Sequence, residues 1–248
     1  MKRLAVGVSA SLLLPAMWIA VKYGFAISDR YLPSPTEVFR SINDPNPSLL
    51  VHIGASWLRL ATGFILGVVG GIGAGVLWWR SPAMDRWSNP SVQALRAVPP
   101  TATIPFFLLW FGFAELGRVL LIFLGIALNV AIAARQILRN TPQKYLTALR
   151  SAGLANHEIP VRHFAIPLVL ESILPTLRFA LSTSIGLVVV SEILGSQVGL
   201  GYLIQSARST FALQMVFLAA IAFGLINVVS DKALCWVWQR AVFWRQMS

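Results

Sequence analysis

The sequence predicts an all-α, polytopic membrane protein with about six transmembrane helices and a helical loop on the cytoplasmic side. Three observations lead there. Of 248 residues, 56% are hydrophobic and only 12% are charged, against roughly 25% charged in an average soluble domain. The apolar residues fall in blocks of about 20, the length that crosses a bilayer as a helix. The stretches between blocks are basic, and the formal net charge is +11, from 20 Lys and Arg against 9 Asp and Glu. A basic excess in so apolar a chain points to positive loops beside a membrane and lipid, not to nucleic acid. The single Cys235 excludes an internal disulfide and a cysteine-based zinc site. It reads as a small buried hydrophobe.

The first element is residues 4–21, behind Met1-Lys2-Arg3. A signal-peptide core usually runs about 7–15 residues, so this longer block reads as a retained span. Gly24-Phe25-Ala26 leaves cleavage as the alternative. Residues 1–30 therefore form an N-terminal transmembrane helix, a signal-anchor, and 31–248 hold the remaining spans. The second span, 60–79, lies between Arg59 and Arg80. Its Gly63, Gly67, Gly71 and Gly75 repeat every four residues and form one stripe. In lipid, small residues let helix backbones approach closely, so the stripe predicts a packing surface for another helix. A sliding seam is the functional alternative.

Residues 98–114 and 119–134 predict the third and fourth spans, joined by a turn at Glu115-Leu116-Gly117-Arg118. Pro99, Pro100 and Pro105 interrupt the third. Glu115 and Arg118 are expected to pair at an exposed turn, where such a pair is worth little. The segment 135–167 is too long to be a mere connector. Thr141-Pro142 opens a helix there, Leu146, Leu149 and Arg150 follow at helical spacing, and Gly153 turns the chain before a short second helix from Asn156. Such a segment suits either docking onto another protein or lying on the bilayer surface. Residues 170–190 and 211–229 are spans five and six, separated by a loop at 195–210 rich in Gly and small polar residues. Trp78, Trp79, Trp87, Trp236, Trp238 and Trp244 fit an interfacial aromatic belt.

With the N-terminus inside, the inner segments hold 13 Lys and Arg and the outer ones 6. That bias predicts a multi-pass protein of the plasma (inner) membrane with both termini cytoplasmic.

Charged groups within spans are costly and often functional. Arg178 and Glu192 lie 14 residues apart in and just beyond span five, roughly 21 Å along a helix, so they cannot pair within it. Arg178, Ser182, Thr183, Ser184 and Glu192, with Asn129 of span four, are candidate pathway-lining groups. The alternative has Arg178 reaching the inner interface and the hydroxyls bonding backbone carbonyls. His52, His157 and His163 lack metal-ligand spacing, so no metal site is expected. The spans hold no His and no paired Asp, which disfavours a membrane enzyme, and no internal repeat favours a stand-alone secondary transporter. No Gly-x-x-x-x-Gly-Lys-Ser/Thr loop exists to cradle ATP. No catalytic residue and no bound cofactor are expected.

Several motifs in order carry a resemblance. Thr147, Ala148 and Leu149, then Gly153, with Ile166 and Pro167 beyond, resemble the cytoplasmic loop of ABC-importer permeases, with Thr147 at the usual Glu and Leu149 at the second Ala. Leu32-Pro33-Ser34-Pro35-Thr36-Glu37-Val38, Arg96-Ala97-Val98-Pro99-Pro100 with Ile104-Pro105 and Trp110-Phe111-Gly112, and Ser191-Glu192-Ile193-Leu194-Gly195 with Gly199-Leu200-Gly201-Tyr202 are similar to segments of nitrate, sulfonate and taurine-type permeases. Together they cover residues 31–230. The resemblance implies a type I importer permease domain over 31–248 that translocates a small anion by alternating access. It implies a coupling loop holding Thr147, Ala148, Leu149, Gly153, Leu154, His157 and Pro167, which docks on a separate ATPase. The implied partners are two ABC ATPase subunits that use ATP and Mg, a second copy of this chain, and an extracytoplasmic solute-binding protein.

Overall fold

The computed structural model describes residues 2–43, 48–112, 114–151, 153 and 161–243. Among these, all regular structure is helical. Helix α1 (Lys2–Gly24) leads to the short α2 (Pro35–Arg40), α3 (Leu49–Arg80), α4 (Pro82–Ala97), α5 (Ile104–Phe111) and α6 (Glu115–Arg139). Then follow α7 (Gln143–Ser151), α8 (Ile166–Ser172), α9 (Leu174–Gly195), α10 (Leu200–Ser209) and α11 (Leu213–Ala241). Helices α3, α6, α9 and α11 are long and apolar enough to cross a membrane. The pair α4 and α5 would make a fifth span, bent by 91°. Helix α1 has 23 residues, about 34 Å at 1.5 Å per residue.

Local chemistry sets several ends. Ser34 and Ser81 cap α2 and α4, accepting from the backbone N–H of Glu37 and Met84, and each is followed by Pro at the first helical position. The third span differs most from expectation. It is not one helix over 98–114. Helix α4 stops at Ala97, a 3₁₀ turn covers Pro100–Thr103, and α5 starts at Ile104. Two successive prolines remove two backbone donors and hold the residues before them extended, with Val98 at ψ 121 and Pro99 at ψ 129.

The connecting turn also moves. Gly112 takes φ +57 and ends α5, and Glu115 to Arg118 already form the first turn of α6, where an acidic residue suits the helix N-terminus. Residues expected as a loop at 195–210 include the ten-residue α10. Trp78 is buried against Val92, Ala131 and Ile132, while Trp87 is 83% exposed.

Packing centres on α3 and α6, which run parallel. A Cβ on Gly63 would sit 2.6 Å from Ile122, on Gly67 2.7 Å from Ile126, on Gly71 2.7 Å from Val130, and on Gly75 2.7 Å from Ala134. Real Cβ atoms do not approach so closely. The four-residue glycine stripe therefore receives a four-residue ridge of α6, and hydrogen is the only side chain that permits the contact. Ile122, Ile126 and Val130 are almost fully buried. Helix α9 packs across α6, with α10 and α11 against α9. The residues Leu177, Ala180, Val188, Leu218 and Ala219 extend the same core. Trp18 fastens α1 to this body by stacking on Phe217 at 5.4 Å and donating to the Pro33 carbonyl at 3.2 Å.

Candidate functional site

At the Glu115 end of α6 a knot of charge joins four helices. The first half of α3 carries His52, Ser56 and Arg59 one turn apart, and all three are buried. Glu192, near the end of α9, is fully buried. Arg59 Nη1 donates to Glu192 Oε1 at 2.5 Å and to the Val198 carbonyl at 2.7 Å. Its Nε and Nη2 donate to the two oxygens of Glu115 at 2.6 and 2.7 Å, a forked contact. Arg118 Nη1 donates to Glu115 Oε1 at 2.7 Å, and its Nη2 donates to the Gly195 carbonyl. Two guanidiniums meet two carboxylates, so charges that would be prohibitive singly are balanced.

The same knot holds the start of α10. A helix leaves its first backbone N–H groups without intrahelical partners. Here Gly199 N–H donates to His52 Nδ1 at 2.9 Å, Leu200 N–H to Ser56 Oγ at 2.8 Å, and Gly201 N–H to Glu192 Oε2 at 2.9 Å. Ser56 Oγ also lies 2.9 and 2.8 Å from the two Glu192 oxygens and donates its hydrogen to them. Gly199 sits at φ +137, and a Cβ on Gly201 would come within 2.6 Å of the Val189 carbonyl. Only glycine accommodates both demands. An open cleft of about 610 Å³ beside the knot is lined by Arg59, Glu115, Arg118, Tyr202 and Gln205 among others.

The pairing of Glu115 with Arg118 is exposed on one side only: the Glu115 side chain is 59% exposed, whereas Arg118 is 6% exposed and Glu115 is shared with buried Arg59. Sequence reasoning marked Glu192 but missed His52, Ser56 and Arg59 as its partners. Their spacing of four and then three residues, a polar stripe on an apolar helix, is the signal that could have found them.

The candidate lining residues do not converge. Glu192 belongs to the knot. Arg178 pairs with Asp231 of α11, Nε to Oδ1 and Nη2 to Oδ2, each at 2.7 Å, in a groove that Ser182 and Asn227 also line. Thr183 and Ser184 donate to carbonyls of their own helix, at Phe179 and Ala180 for Thr183 and at Ala180 and Leu181 for Ser184. Asn129 Nδ2 donates to the Gly125 carbonyl at 2.9 Å and is exposed.

At the opposite end, α6 finishes at Arg139 and the chain turns within three residues into α7. Thr147 and Ala148 are exposed on α7, and Ser151 Oγ bonds the Thr147 carbonyl at 3.0 Å. Gly153 adopts φ +82, and Pro167 lies in the first turn of α8. The Leu149 side chain, Leu154 and His157 lie outside the described residues. Just before α7, buried Asp85 of α4 binds two arginines of α6. Arg135 Nη2 donates to Asp85 Oδ2 at 3.0 Å, its Nε lies 2.8 Å from Oδ1, and Arg139 reaches the same carboxylate. Among the described residues no group of His, Cys, Asp and Glu could hold a metal.

Comparison with known proteins adds an independent line. Residues 67–241 match the family of binding-protein-dependent transport system inner membrane components. The chain is 31% identical over 240 residues to a Bacillus subtilis (strain 168) permease named SsuC for aliphatic sulfonates transport, covering 94% of this chain and 87% of that one. It is 28% identical to the taurine transport system permease protein TauC of Escherichia coli (strain K12), over 97% of this chain and 89% of the relative. In fold it is similar to a chain of the MetNI methionine ABC transporter, solved in inward-facing conformations. The TM-score there is 0.59 at 22% identity, covering 79% of this chain and 98% of that one.

Proposed function

The chain belongs to the binding-protein-dependent transport system inner membrane components, the permease subunits of ABC importers, and from that premise we propose how it works and what it carries. Two copies of the chain form the membrane path, and two ATPase subunits dock on the segment 143–167. An extracytoplasmic binding protein delivers a small anion of the sulfonate class. Residues 1–30 act as an anchor helix beside the transport domain. ATP and Mg belong to the ATPase subunits.

One observation carries this reading: α7 follows the end of α6 within three residues, and the side-chain ridge of α6 is seated directly against the glycine backbone of α3. A displacement at α7 then moves two spans together. The end of α3 carries Arg80 and the end of α6 carries Arg135 and Arg139, a basic cluster that supports a cytoplasmic position for α7 and for both termini. The charge knot at the far end couples the same two spans to α9 and α10. The bundle works as a two-state element, biased by nucleotide at the α7 end and by loaded binding protein at the other. The relatives named for sulfonates and taurine support the solute class.

The test is ATP hydrolysis by the reconstituted complex with its binding protein. Taurine or short alkanesulfonates should stimulate hydrolysis, and uncharged analogues should not. Stimulation by neutral solutes alone would contradict the solute class.

A further inference from the structure

The broken span α4–α5 borders a partly open pocket of about 390 Å³ against α6, a volume at the small end of ligand sites. Its polar lining is Arg96, Thr103 and Asn129, and its apolar lining includes Leu121, Leu124 and Leu128. Asn129 is ten residues from Arg139 and fourteen from Glu115, so it lies roughly 15 Å and 21 Å from the two ends of α6. The cavity is therefore near mid-depth in the membrane. It exists because Pro99 and Pro100 break the helix there and because Gly125, opposite, has no side chain. A Cβ at Gly125 would stand 3.6 Å from Pro100 and 2.6 Å from Leu187.

Arg96 is the cation of this pocket. Arg59, Arg118, Arg135, Arg139 and Arg178 each meet a carboxylate. Arg96 meets none among the described residues and is exposed beside the pocket, so its guanidinium is open to a ligand. A charge kept there without a protein partner needs water or a ligand of opposite sign. Asn129 spends one amide hydrogen on the Gly125 carbonyl, which leaves the other to donate into the cavity. Thr103 spends its hydroxyl hydrogen on the Pro100 carbonyl at 2.7 Å and so presents no donor. The donors are then one guanidinium and one amide beside a wall of leucines, a set that matches a compact oxyanion carrying a short aliphatic tail.

We propose that this cavity at the α4–α5 break is the transmembrane binding site for the solute, with Arg96 and Asn129 holding a sulfonate head and Leu121, Leu124 and Leu128 its carbon tail. The proposal rests on the reading of the chain as an anion importer and adds the place and the groups. Discontinuous helices near mid-depth are where a transport path can expose polar groups without exposing them to lipid.

The test uses the full complex in liposomes with ethanesulfonate as probe. Arg96→Gln should raise the KM for uptake about tenfold or more, the size expected for losing a hydrogen bond to a charged group. Arg96→Lys should fall between that variant and wild type, and melting in detergent checks the fold of each. As a second arm, Arg96→Cys in a Cys235→Ser chain should react with a water-soluble methanethiosulfonate, and ethanesulfonate should slow that reaction. Uptake by Arg96→Gln with an unchanged KM overturns the site, as does an Arg96→Cys thiol that never reacts with or without nucleotide. Should the wild-type complex take up no alkanesulfonate at all, the anion-importer reading itself fails and this site with it.

Discussion

Arg59 of α3 and Glu192 of α9, 133 residues apart in the chain, meet at 2.5 Å with Glu192 wholly buried. Neither charge would be tolerated there alone. Their pairing, shared with Glu115 and Ser56, fixes where α3, α6, α9 and α10 come together.

Removing one partner leaves the other charged and buried. Glu192→Ala is expected to destabilise the bundle by about 3–5 kcal/mol, on the order of a 10 °C fall in melting temperature, read by thermal unfolding in detergent. Glu192→Gln keeps the bonds from Gly201 and Ser56 and should lose less. A melting temperature unchanged in Glu192→Ala would show that the knot is not structural.

The glycine seam makes a paired prediction. Gly67→Leu places atoms inside the space of Ile126, whereas Gly73, on another face, has nothing within 4 Å. Gly67→Leu should abolish recovery of monodisperse protein. Gly73→Ala should be neutral or stabilising by up to about 1 kcal/mol, as expected for Gly to Ala within a helix. Equal behaviour of the two variants on size-exclusion chromatography would refute the close α3–α6 contact.

Much of this architecture is legible in the sequence, for physical reasons that differ by element. Hydropathy blocks near 20 residues reveal α3, α6, α9 and α11 because lipid demands length and apolarity. The Gly63 to Gly75 repeat is visible because a helix face recurs nearly every four residues. What remains hidden is long-range. Nothing local tells Arg59 that its partner is Glu192, or Arg178 that its partner is Asp231. The Pro99-Pro100 pair is visible as an interruption, but a 91° bend depends on what α6 offers opposite it. The short α10 escapes notice because Gly199, Leu200 and Gly201 find their acceptors on α3 and α9.

Asp85 neutralises Arg135 and Arg139 where α6 approaches α7. Asp85→Asn keeps the shape and removes the charge, and should cost about 1–3 kcal/mol. Asp85→Lys sets three cations together and should fail to fold. Recovery of Asp85→Lys at wild-type yield and melting temperature would exclude the clamp as a structural link between α4 and α6.

Outside the spans, Lys22 lies 2.9 Å from Asp29 and holds its carboxyl below the ordinary carboxylate range. Asp29 also accepts the Ser34 N–H at 3.1 Å. A depressed carboxylate stabilises the fold above its unfolded pKa and ceases to do so as pH falls through its folded value. Protection of the Ser34 amide, relative to Asp29→Asn, should therefore be constant from about pH 7 to pH 5 and be lost only below about pH 4. Loss of that difference already at pH 6 would contradict the pairing.

In the proposed mechanism, force enters through α7. The direct measurement is ATP-driven solute uptake by the reconstituted complex carrying Ala148→Arg, a bulky charge on the exposed face of α7. Uptake should fall at least about tenfold, as when a charge is forced into a protein interface, while melting of the variant in detergent stays at the wild-type temperature. Undiminished uptake in that variant would contradict the coupling of α7 to transport.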